Sequence, residues 1–396
     1  MTPVTRWSTA VMAAAALATG LAGCSSPAPA GRHDPDKSHS VAAQPSRPTS
    51  QAASAAPGLS SEDQALGAFS LLPAPGPGHL APGSDPGALP GDVLIADEYN
   101  NRLLLVDPQG RIRWRFPGPG DLPPGYVFGP PDDAFVSPDG RTIIATQESY
   151  DTVSLIDIAA RRVTARYGHP DFPGSARGFF SHPDDAMLLP GGDLLLADIV
   201  NCRILLLASG PWHVVRQFGH TGSCFHAPPA HFGSPNGVFP LDDGNFLVTE
   251  INGDWVDEMS LTGHVYWSVH PPGVAYPSDA CQVSGDRYLV TDYSDPGQVV
   301  IFDRAGHALW RFRSAGAQTL NHPSLALPLP NGNILVNDDY NDRVIVIDPA
   351  TDRIVWQYGH DGVPGHGPGY LDNPDGVDMA PPDSLLMMHA ATMGHP

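Results

Sequence analysis

Six versions of one short segment run through this chain, and the repetition limits its fold more than any other feature. Each version contains three short apolar strands separated by turns, as in GDVLIADEYNNRLLLVDPQGRIRWRF, which begins at Gly91. The turn glycines lie 41 to 52 residues apart, at Gly91, Gly140, Gly192, Gly244, Gly285 and Gly332. That spacing is typical of propeller blades. The sequence therefore predicts an all-β fold, a six-bladed β-propeller of four-stranded antiparallel blades.

A fourth strand precedes most copies and is marked by proline, as in GPPDDAFVSP, SHPDDAMLLP and AYPSDACQVS. A last strand of this kind, Asn373 to Ala380, follows the sixth copy. We expect it to form the innermost strand of the blade begun at Gly91, because many propellers complete one blade from both chain ends. Seven blades are the alternative, with Pro82 to Pro90 as a degenerate first strand and Asp383 to His389 as the start of another second strand.

The N-terminal residues have the pattern of an export signal. Arg6 precedes an alanine-rich apolar run that is too short to cross a bilayer and ends in LAGC, with the cysteine at position 24. This ending resembles a bacterial lipoprotein lipobox. The resemblance implies a signal peptide at residues 1–23, lipidation of Cys24 and an exported protein anchored at the outer face of the cytoplasmic membrane. An ordinary secretory signal with an incidental cysteine is the alternative.

The remaining chain divides into a tether and one body. Residues 24–75 are rich in serine, alanine and proline and show no apolar period, which predicts a disordered tether. Residues 76–396 would form the propeller. The chain carries 42 carboxylate residues against 21 lysines and arginines, so nucleic acid and anionic lipid headgroups are not expected as partners. Membrane contact would be through the lipid anchor alone.

Three cysteines lie within the predicted propeller. Cys202 falls in a turn after a second strand and Cys224 in the following link between blades, and both regions should open on the same face of the ring, which we call the top. A disulfide between them is one interpretation, and it would leave Cys281 alone on an inner strand. Three buried free thiols are the other, because spacing alone does not fix pairing.

Three copies carry Asp-x-x-Asn-x-Arg in the turn after the second strand. The members are Asp97-Asn100-Arg102, Asp198-Asn201-Arg203 and Asp338-Asn341-Arg343. With the proline-marked strand, this turn resembles the NHL-repeat propellers. The resemblance implies the fold and leaves the function open, because that family includes binding platforms and enzymes. We expect each aspartate and arginine to lock their own turn by a charge-assisted hydrogen bond.

Four copies place a tryptophan after the hairpin that leads into the outer strand, at Trp114, Trp267, Trp310 and Trp356. This pattern resembles the blade-docking motif of the PQQ-like quinoprotein propellers. Because the tryptophan recurs at the rim instead of lining one pocket, we expect it to cover the neighbouring blade. Bound pyrroloquinoline quinone is therefore not expected.

The stretch from His322 to His360 is similar to repeats of bacterial arylsulfotransferases. Those proteins are exported propellers in which a histidine carries the sulfuryl group covalently. His322 and His182 stand in the corresponding His-Pro context, so the resemblance implies them as candidates for that role.

Carboxylates gather where the inner strands begin. Residues that follow the marked prolines should surround the channel mouth, and six are aspartates, namely Asp132, Asp133, Asp184, Asp185, Asp279 and Asp375. Such crowding raises pKa values unless a cation neutralises the charges, and oxygen-rich clusters suit calcium or another divalent metal. The metal hypothesis names Asp133, Asp185 and Asp279 as ligands. Alternatively, these aspartates only accept hydrogen bonds at the strand starts and bind water.

Departures from the repeat are the best guide to a site, because function tends to break symmetry. They concentrate in blades three to five. We predict one ligand pocket there, at the top face, lined by His226, His231, Asn236, Glu250, Trp255, Tyr276 and Asp279. The sequence names no catalytic set, and the candidates for such a role are His182, His231, His322 and Glu250.

Two functions fit these features. The first is a surface-tethered binding or scaffold propeller whose top face takes a small polar ligand or a cell-surface protein. The second is an exported enzyme that uses top-face histidines and carboxylates for metal-assisted lyase or hydrolase chemistry, or for sulfuryl transfer. Stoichiometric metal at the channel would favour the enzyme.

Overall fold

The computed structural model describes residues 77–209 and 213–380. The predicted signal peptide, Cys24, the whole predicted tether and the stretch from Asp383 to His389 lie outside the described residues. Within the described part, the chain forms six four-stranded antiparallel sheets. The prediction of a six-bladed all-β propeller is confirmed.

Each sheet is one blade, and the strands are numbered along the chain. Blade one contains β1 (Val93–Asp97), β2 (Arg102–Val106), β3 (Ile112–Phe116) and, from the far end of the chain, β24 (Pro374–Met379). Blade two contains β4 (Ala134–Val136), β5 (Thr142–Gln147), β6 (Thr152–Asp157) and β7 (Arg162–Gly168). Blade three contains β8 (Pro183–Leu188), β9 (Leu194–Asp198), β10 (Arg203–Ala208) and β11 (His213–Phe218).

The second half of the ring repeats this plan. Blade four contains β12 (Pro235–Pro240), β13 (Asn245–Glu250), β14 (Trp255–Ser260) and β15 (Val265–Val269). Blade five contains β16 (Pro277–Gln282), β17 (Tyr288–Asp292), β18 (Gln298–Phe302) and β19 (Ala308–Phe312). Blade six contains β20 (Ala326–Pro328), β21 (Ile334–Asp338), β22 (Arg343–Asp348) and β23 (Arg353–Gly359).

Helical structure among the described residues is limited to short 3₁₀ turns. They are Pro86–Ala88, Glu98–Asn100, Glu148–Tyr150, Gly316–Gln318 and Asp339–Asn341. In the part of the chain that the structure describes, none of these has the length or apolar character needed to cross a membrane.

The ring closes by joining the two ends of the described chain. Strand β24 pairs antiparallel with β1, with Ile95 opposite Val377, as the proline-marked last strand predicted. The seven-blade alternative is wrong for Pro82 to Pro90, which form no inner strand. Instead, the amide of Asp85 donates to the carbonyl of Val355 on the outer strand of blade six. This segment therefore covers the outer edge of blade six.

The Asp-x-x-Asn-x-Arg turns are locked as expected. The Arg343 Nε lies 2.7 Å from Asp338 Oδ2, and Asn341 Nδ2 donates to the same oxygen. The corresponding Nε–Oδ2 distances in the other two turns are 2.6 Å and 2.7 Å. The arginine also donates to carbonyls of the preceding link, such as Thr319 O at 2.9 Å, so the turn is joined to its neighbour in space.

The four rim tryptophans each join their own blade to the next one. Trp310 Nε1 donates to Asp352 Oδ1 in blade six at 2.9 Å. Trp356 Nε1 donates to the carbonyl of Pro108 in blade one, also at 2.9 Å. The ring of Trp267 packs against Tyr288 of blade five with centroids 4.8 Å apart, and Trp114 lies under a guanidinium of blade two. These contacts account for the recurring tryptophan as inter-blade packing.

Candidate functional site

The top face of the ring carries both the links between blades and the turns after the second strands. Hydrogen bonds connect the two. The amide of Ser181 in a link donates to Asp198 Oδ1 in a turn at 2.8 Å, and that of Asn321 donates to Asp338 Oδ1 at 2.7 Å. The inner strands also start here, so side chains at their first positions point toward one opening.

Four carboxylates from three blades meet inside that opening. They belong to Asp133 of blade two, Asp184 and Asp185 of blade three, and Asp279 of blade five, and we call them the channel cluster. One oxygen of each lies within 4.8 Å of one oxygen of each of the others. All four residues are buried. The three aspartates predicted as metal ligands are thus brought together, with Asp184 as a fourth neighbour.

The channel cluster uses some of its oxygens for structure and leaves others free. Asp185 Oδ2 accepts a hydrogen bond from the amide of Val238 at 2.8 Å, and Asp184 Oδ2 accepts one from Asn236 Nδ2 at 2.8 Å. The Oδ1 atoms of Asp133, Asp185 and Asp279 accept no hydrogen bond from an N–H or hydroxyl group of the described residues, and the Asp185 and Asp279 carboxyls lie within hydrogen-bonding reach of each other. Hydrogen bonds to the protein support the hypothesis that these aspartates have a structural role at the strand starts. The remaining free oxygens support the hypothesis that they bind a metal.

Burial and mutual repulsion disfavour ionisation of this cluster. Burial raises the pKa of Asp185 to about 7. Burial, followed by the charge of Asp185, raises the pKa values of Asp133 and Asp279 well above their ordinary range. A cation placed among these oxygens would reverse this effect by stabilising the charged forms.

A second group of carboxylates lies at the mouth. Oxygens of Glu98, Asp132 and Asp375 lie within 4.8 Å of one another, and we call this group the mouth cluster. Burial raises the pKa of nearby Glu148 to about 8, with the charge of Asp375 as the next cause. Glu98, Glu148 and Asp339 were not among the site residues predicted from the sequence. The available signal was their shared position directly after the last residue of a second strand.

Aromatic side chains stand beside the mouth cluster. The rings of Tyr276 and Tyr293 have centroids 5.3 Å apart, and His322 lies 4.8 Å from Tyr293 and 4.4 Å from Tyr340. Tyr99 and Tyr340 are exposed on the top face. Burial is the main reason that the pKa of Tyr276 is raised, and the charges of Glu148 and Asp184 add to it. The mouth therefore combines phenol rings with carboxylates.

Two of the candidate catalytic histidines are half-buried near the inner strands. His322 Nδ1 lies 2.7 Å from Asn321 Oδ1, and burial lowers the pKa of its imidazole. His182 Nδ1 lies 3.9 Å from Asp151 Oδ1, and burial lowers the pKa of this histidine too. Both rings are therefore neutral near pH 7, and a neutral ring can accept a proton.

The other two candidates belong to the blade-three link and blade four. His226 Nδ1 lies 2.8 Å from Oε1 of buried Glu250. The indole of Trp255 stacks on His226, with centroids 3.9 Å apart and planes 9° apart. His231 stacks instead on Phe225, with centroids 4.3 Å apart.

The seven residues predicted to line one pocket fall into groups with different partners. His226, Glu250 and Trp255 form one group, whereas Asn236 and Asp279 belong with the channel cluster. Tyr276 lies against Tyr293, and His231 stacks on Phe225. The prediction placed all seven side chains in one pocket at the top of blades three to five, whereas the structure distributes them among these separate sets of neighbours.

The opposite end of the ring holds an apolar cavity that the sequence analysis did not identify. Its volume is about 610 Å³, and its lining includes Phe135, Met187, Leu189, Phe239 and Leu241. These residues come from the lower ends of inner strands and the turns that follow them. The cavity therefore differs from the top face, because its lining is mainly apolar whereas the top face is rich in carboxylates. None of the predicted site residues lines it.

A disulfide joins Cys202 to Cys224, with Cα atoms 5.2 Å apart. It connects the blade-three turn to the link that carries His226 and His231. Cys281, on β16, is a buried free cysteine, and burial raises the pKa of its thiol above the physiological range.

Comparison with known proteins supports a PQQ-like propeller. Residues 215–366 match the family model described as "Outer membrane protein assembly factor BamB". A solved protein of unknown function from Bacteroides caccae is similar at 18% identity, with a TM-score of 0.48, over 68% of this chain and 93% of that one. No curated protein matches.

Two similar solved structures are lyases. Virginiamycin B lyase from Staphylococcus aureus matches at 15% identity and a TM-score of 0.42, over 57% of this chain and 69% of that chain. A structure described as streptogramin B lyase matches at 16% identity and a TM-score of 0.45, over 67% and 91% of the two chains. At such identities the likeness is one of fold alone.

Proposed function

We propose that this protein is a divalent-cation-binding propeller whose top face binds a small polar ligand at the outer surface of the cell. The observation that supports it best is the set of three buried oxygens that no N–H or hydroxyl group meets, the Oδ1 atoms of Asp133, Asp185 and Asp279. Buried polar atoms normally have partners, so three unused acceptors that face one another favour an ion.

The donor set favours calcium over a transition metal. Every ligand atom in the channel cluster is a carboxylate oxygen, and hard oxygen donors suit Ca²⁺ or Mg²⁺. Among the described residues, no lysine or arginine forms a salt bridge with these four aspartates. Calcium accepts six to eight oxygens in flexible geometry, which leaves coordination positions for water or for a ligand.

The ligand site would lie at the mouth above the cation. Tyr99 and Tyr340 are exposed there, and both lie beside acidic side chains that raise their pKa values after the larger effect of burial. Phenol rings supply flat apolar surface and a polar hydroxyl, while carboxylates accept hydrogen bonds from hydroxyl or amino groups. This combination suits a small polyhydroxylated or amino-bearing ligand.

Calorimetric titration of the chelator-treated full chain with calcium tests this proposal. We expect about one equivalent of Ca²⁺ to bind, with affinity that increases above pH 7 because protons must leave the cluster. Asp279→Asn should weaken binding at least 100-fold. Asp378→Asn is the matched control, because Asp378 is also an inner-strand carboxylate but lies outside the channel cluster, where it accepts a hydrogen bond from the amide of Val136. Equal binding by wild type and Asp279→Asn would reject the cation site.

A second candidate function is an exported enzyme that uses His322. The observation that favours it is the position of the His322 imidazole between Tyr293 and Tyr340 beside the mouth cluster, where burial lowers its pKa. Screening of hydrolase, lyase and sulfuryl-transfer substrates should then find turnover that His322→Ala removes and that His360→Ala, in another link, preserves. Turnover unaffected by His322→Ala would reject this assignment.

A further inference from the structure

The top turn of blade four lacks the arginine that balances the turn carboxylate in blades one, three and six, and unlike Asp292 of blade five its carboxylate is not met by a glutamine. Glu250 ends the second strand of blade four and pairs with Trp255, whereas Asp338 at the same place in blade six pairs with Arg343. Blades one and three also place arginine opposite the turn aspartate. In blade four the nearest compensating group is His226, whose Nδ1 lies 2.8 Å from Glu250 Oε1.

Blade four also adds a second carboxylate at a position where blades one, three, five and six are apolar and blade two has Ser154. Asp257 is the third residue of β14, and the third residues of β2 and β22 are Leu104 and Ile345. Asp257 is 0% exposed, lies opposite Ser268 of β15 and faces the Glu250 carboxyl, and no N–H or guanidinium group of the described residues donates to its oxygens. A buried carboxylate beside a second carboxylate requires a compensating group, because burial of an unpaired charge is costly.

The three side chains converge on one point. Ligand atoms of His226, Glu250 and Asp257 all lie within 4.8 Å of one another. The second oxygen of Glu250 accepts a hydrogen bond from the amide of Gly233, which fixes the carboxylate. The His226 side chain is 21% exposed and therefore connects the buried carboxylates to the top face.

We propose that His226, Glu250 and Asp257 bind a transition-metal dication, with zinc as the best match. One imidazole nitrogen with two carboxylate oxygens is a donor set that zinc accepts in four-coordinate sites, and three protein ligands leave one position for water or a small ligand. The dication supplies the charge that a guanidinium supplies in blades one, three and six. This site is separate from the channel cluster and does not rest on the calcium proposal.

The stacked indole provides a local probe of this site. Trp255 lies against His226 on one side, and its ring centroid is 3.6 Å from that of His270. Such packing holds the imidazole plane in place, as groups around metal ligands commonly do. Cobalt bound by His226 would quench the fluorescence of this adjacent indole and would show visible absorption.

The test is titration of the chelator-treated full chain with Zn²⁺ and with Co²⁺ in the presence of excess Ca²⁺, which occupies any calcium site. We expect one equivalent of Zn²⁺, Co²⁺ absorption bands and quenching that Trp255→Phe removes. His226→Ala and Asp257→Leu should each weaken zinc binding at least 100-fold. The second variant restores the apolar type found in other blades, so it should fold and should melt at a higher temperature than the metal-free wild type.

Matched variants make the outcome decisive. His220→Ala changes an exposed histidine of the same link and should leave zinc affinity unchanged. Asp279→Asn, which removes a channel ligand, should also leave it unchanged. Zinc binding that persists in both His226→Ala and Asp257→Leu would overturn the inference, as would zinc binding lost only in Asp279→Asn. Absence of stoichiometric zinc in the wild type would also overturn it, and a proton held between Glu250 and Asp257 would then be the compensating group to test.

Discussion

Two sets of buried aspartates differ in how their charge is balanced. Asp338 of the top turns receives a guanidinium at 2.7 Å and two further donors. Asp279 of the channel cluster faces other carboxylates and keeps one oxygen without a partner. Burial is nearly complete in both. The comparison shows that burial alone does not separate a structural carboxylate from a candidate ligand, whereas the partner atoms do.

The largest effect should come from pH in the cation-free protein. Burial raises the pKa of Asp185 to about 7 and that of Glu148 to about 8. A carboxyl with a raised folded-state pKa stabilises the fold fully below its unfolded-state value, and this contribution is lost as pH rises through the folded-state value. The free energy of unfolding in chelator should therefore fall by about 4 kcal/mol or more between pH 4 and pH 8, since one pKa unit is worth about 1.4 kcal/mol.

Urea unfolding at a series of pH values measures this decline. Saturating calcium should reduce it, because the cation favours the ionised forms that high pH produces. A flat profile in chelator would contradict the account of the channel cluster, and a decline unaffected by calcium would count against the cation site.

Removal of an arginine that balances a turn aspartate should lower the free energy of unfolding almost as much. Arg343 is 1% exposed in its side chain, and Arg343→Ala leaves Asp338 as an uncompensated buried charge. We expect a loss of about 3–5 kcal/mol in the free energy of unfolding. Arg304→Ala is the control, because that arginine and its partner Asp286 are each 53% exposed. Its loss should be about 0–1 kcal/mol, and similar losses for the two variants would contradict the prediction.

Substitution of aspartate by asparagine should have opposite effects on stability in the channel cluster and in the top turns. Asp279→Asn removes one of several repelling charges, so the cation-free protein at pH 8 should gain about 1–2 kcal/mol of stability. Asp338→Asn leaves Arg343 buried without its counter-charge and should lose about 3 kcal/mol. Chemical denaturation in chelator measures both. If both variants changed the free energy of unfolding in the same direction, the charges of the channel aspartates would be balanced by other groups of the folded chain.

The smallest effect on stability should come from removing a neutral hydrogen-bond donor to a turn aspartate. Asn100 donates through Nδ2 to both oxygens of Asp97 and to the carbonyl of Gly365. Asn100→Ala should lower the free energy of unfolding by about 1–2 kcal/mol, because buried acceptors lose a donor. Gln109→Ala, an exposed change in another turn of blade one, should have no measurable effect. Thermal melts of both variants provide the measurement.

The sequence predicted the fold well because its signals are local and repeated. The turn glycines, the marked prolines and the Asp–Arg turns each occur several times, and the last proline-marked strand indicated the closure that β24 and β1 make. A repeated signal identifies an element even when single copies are degenerate.

The candidate site was predicted only in part because it depends on contacts between blades. The channel aspartates were found because they follow a repeated proline. Glu98 and Glu148 share the position directly after a second strand, but that position alone does not show that they meet other carboxylates at the mouth. Asp257 lies in a strand where alternation is weak, WVDEMS, so its burial beside Glu250 could not be derived from the pattern. Their significance lies in distances that only the closed ring sets.

The pairing of β24 with β1 also affects the order of events during synthesis. Strand β1 is made early, but its partner follows only when residues after Asn373 emerge, roughly tens of seconds later at ordinary translation rates. Until then β1 presents unpaired backbone groups on one side, the type of edge that recruits strands from other chains. Nascent propellers of this kind should therefore be most prone to aggregation just before completion, and chains truncated before Asn373 should remain so permanently.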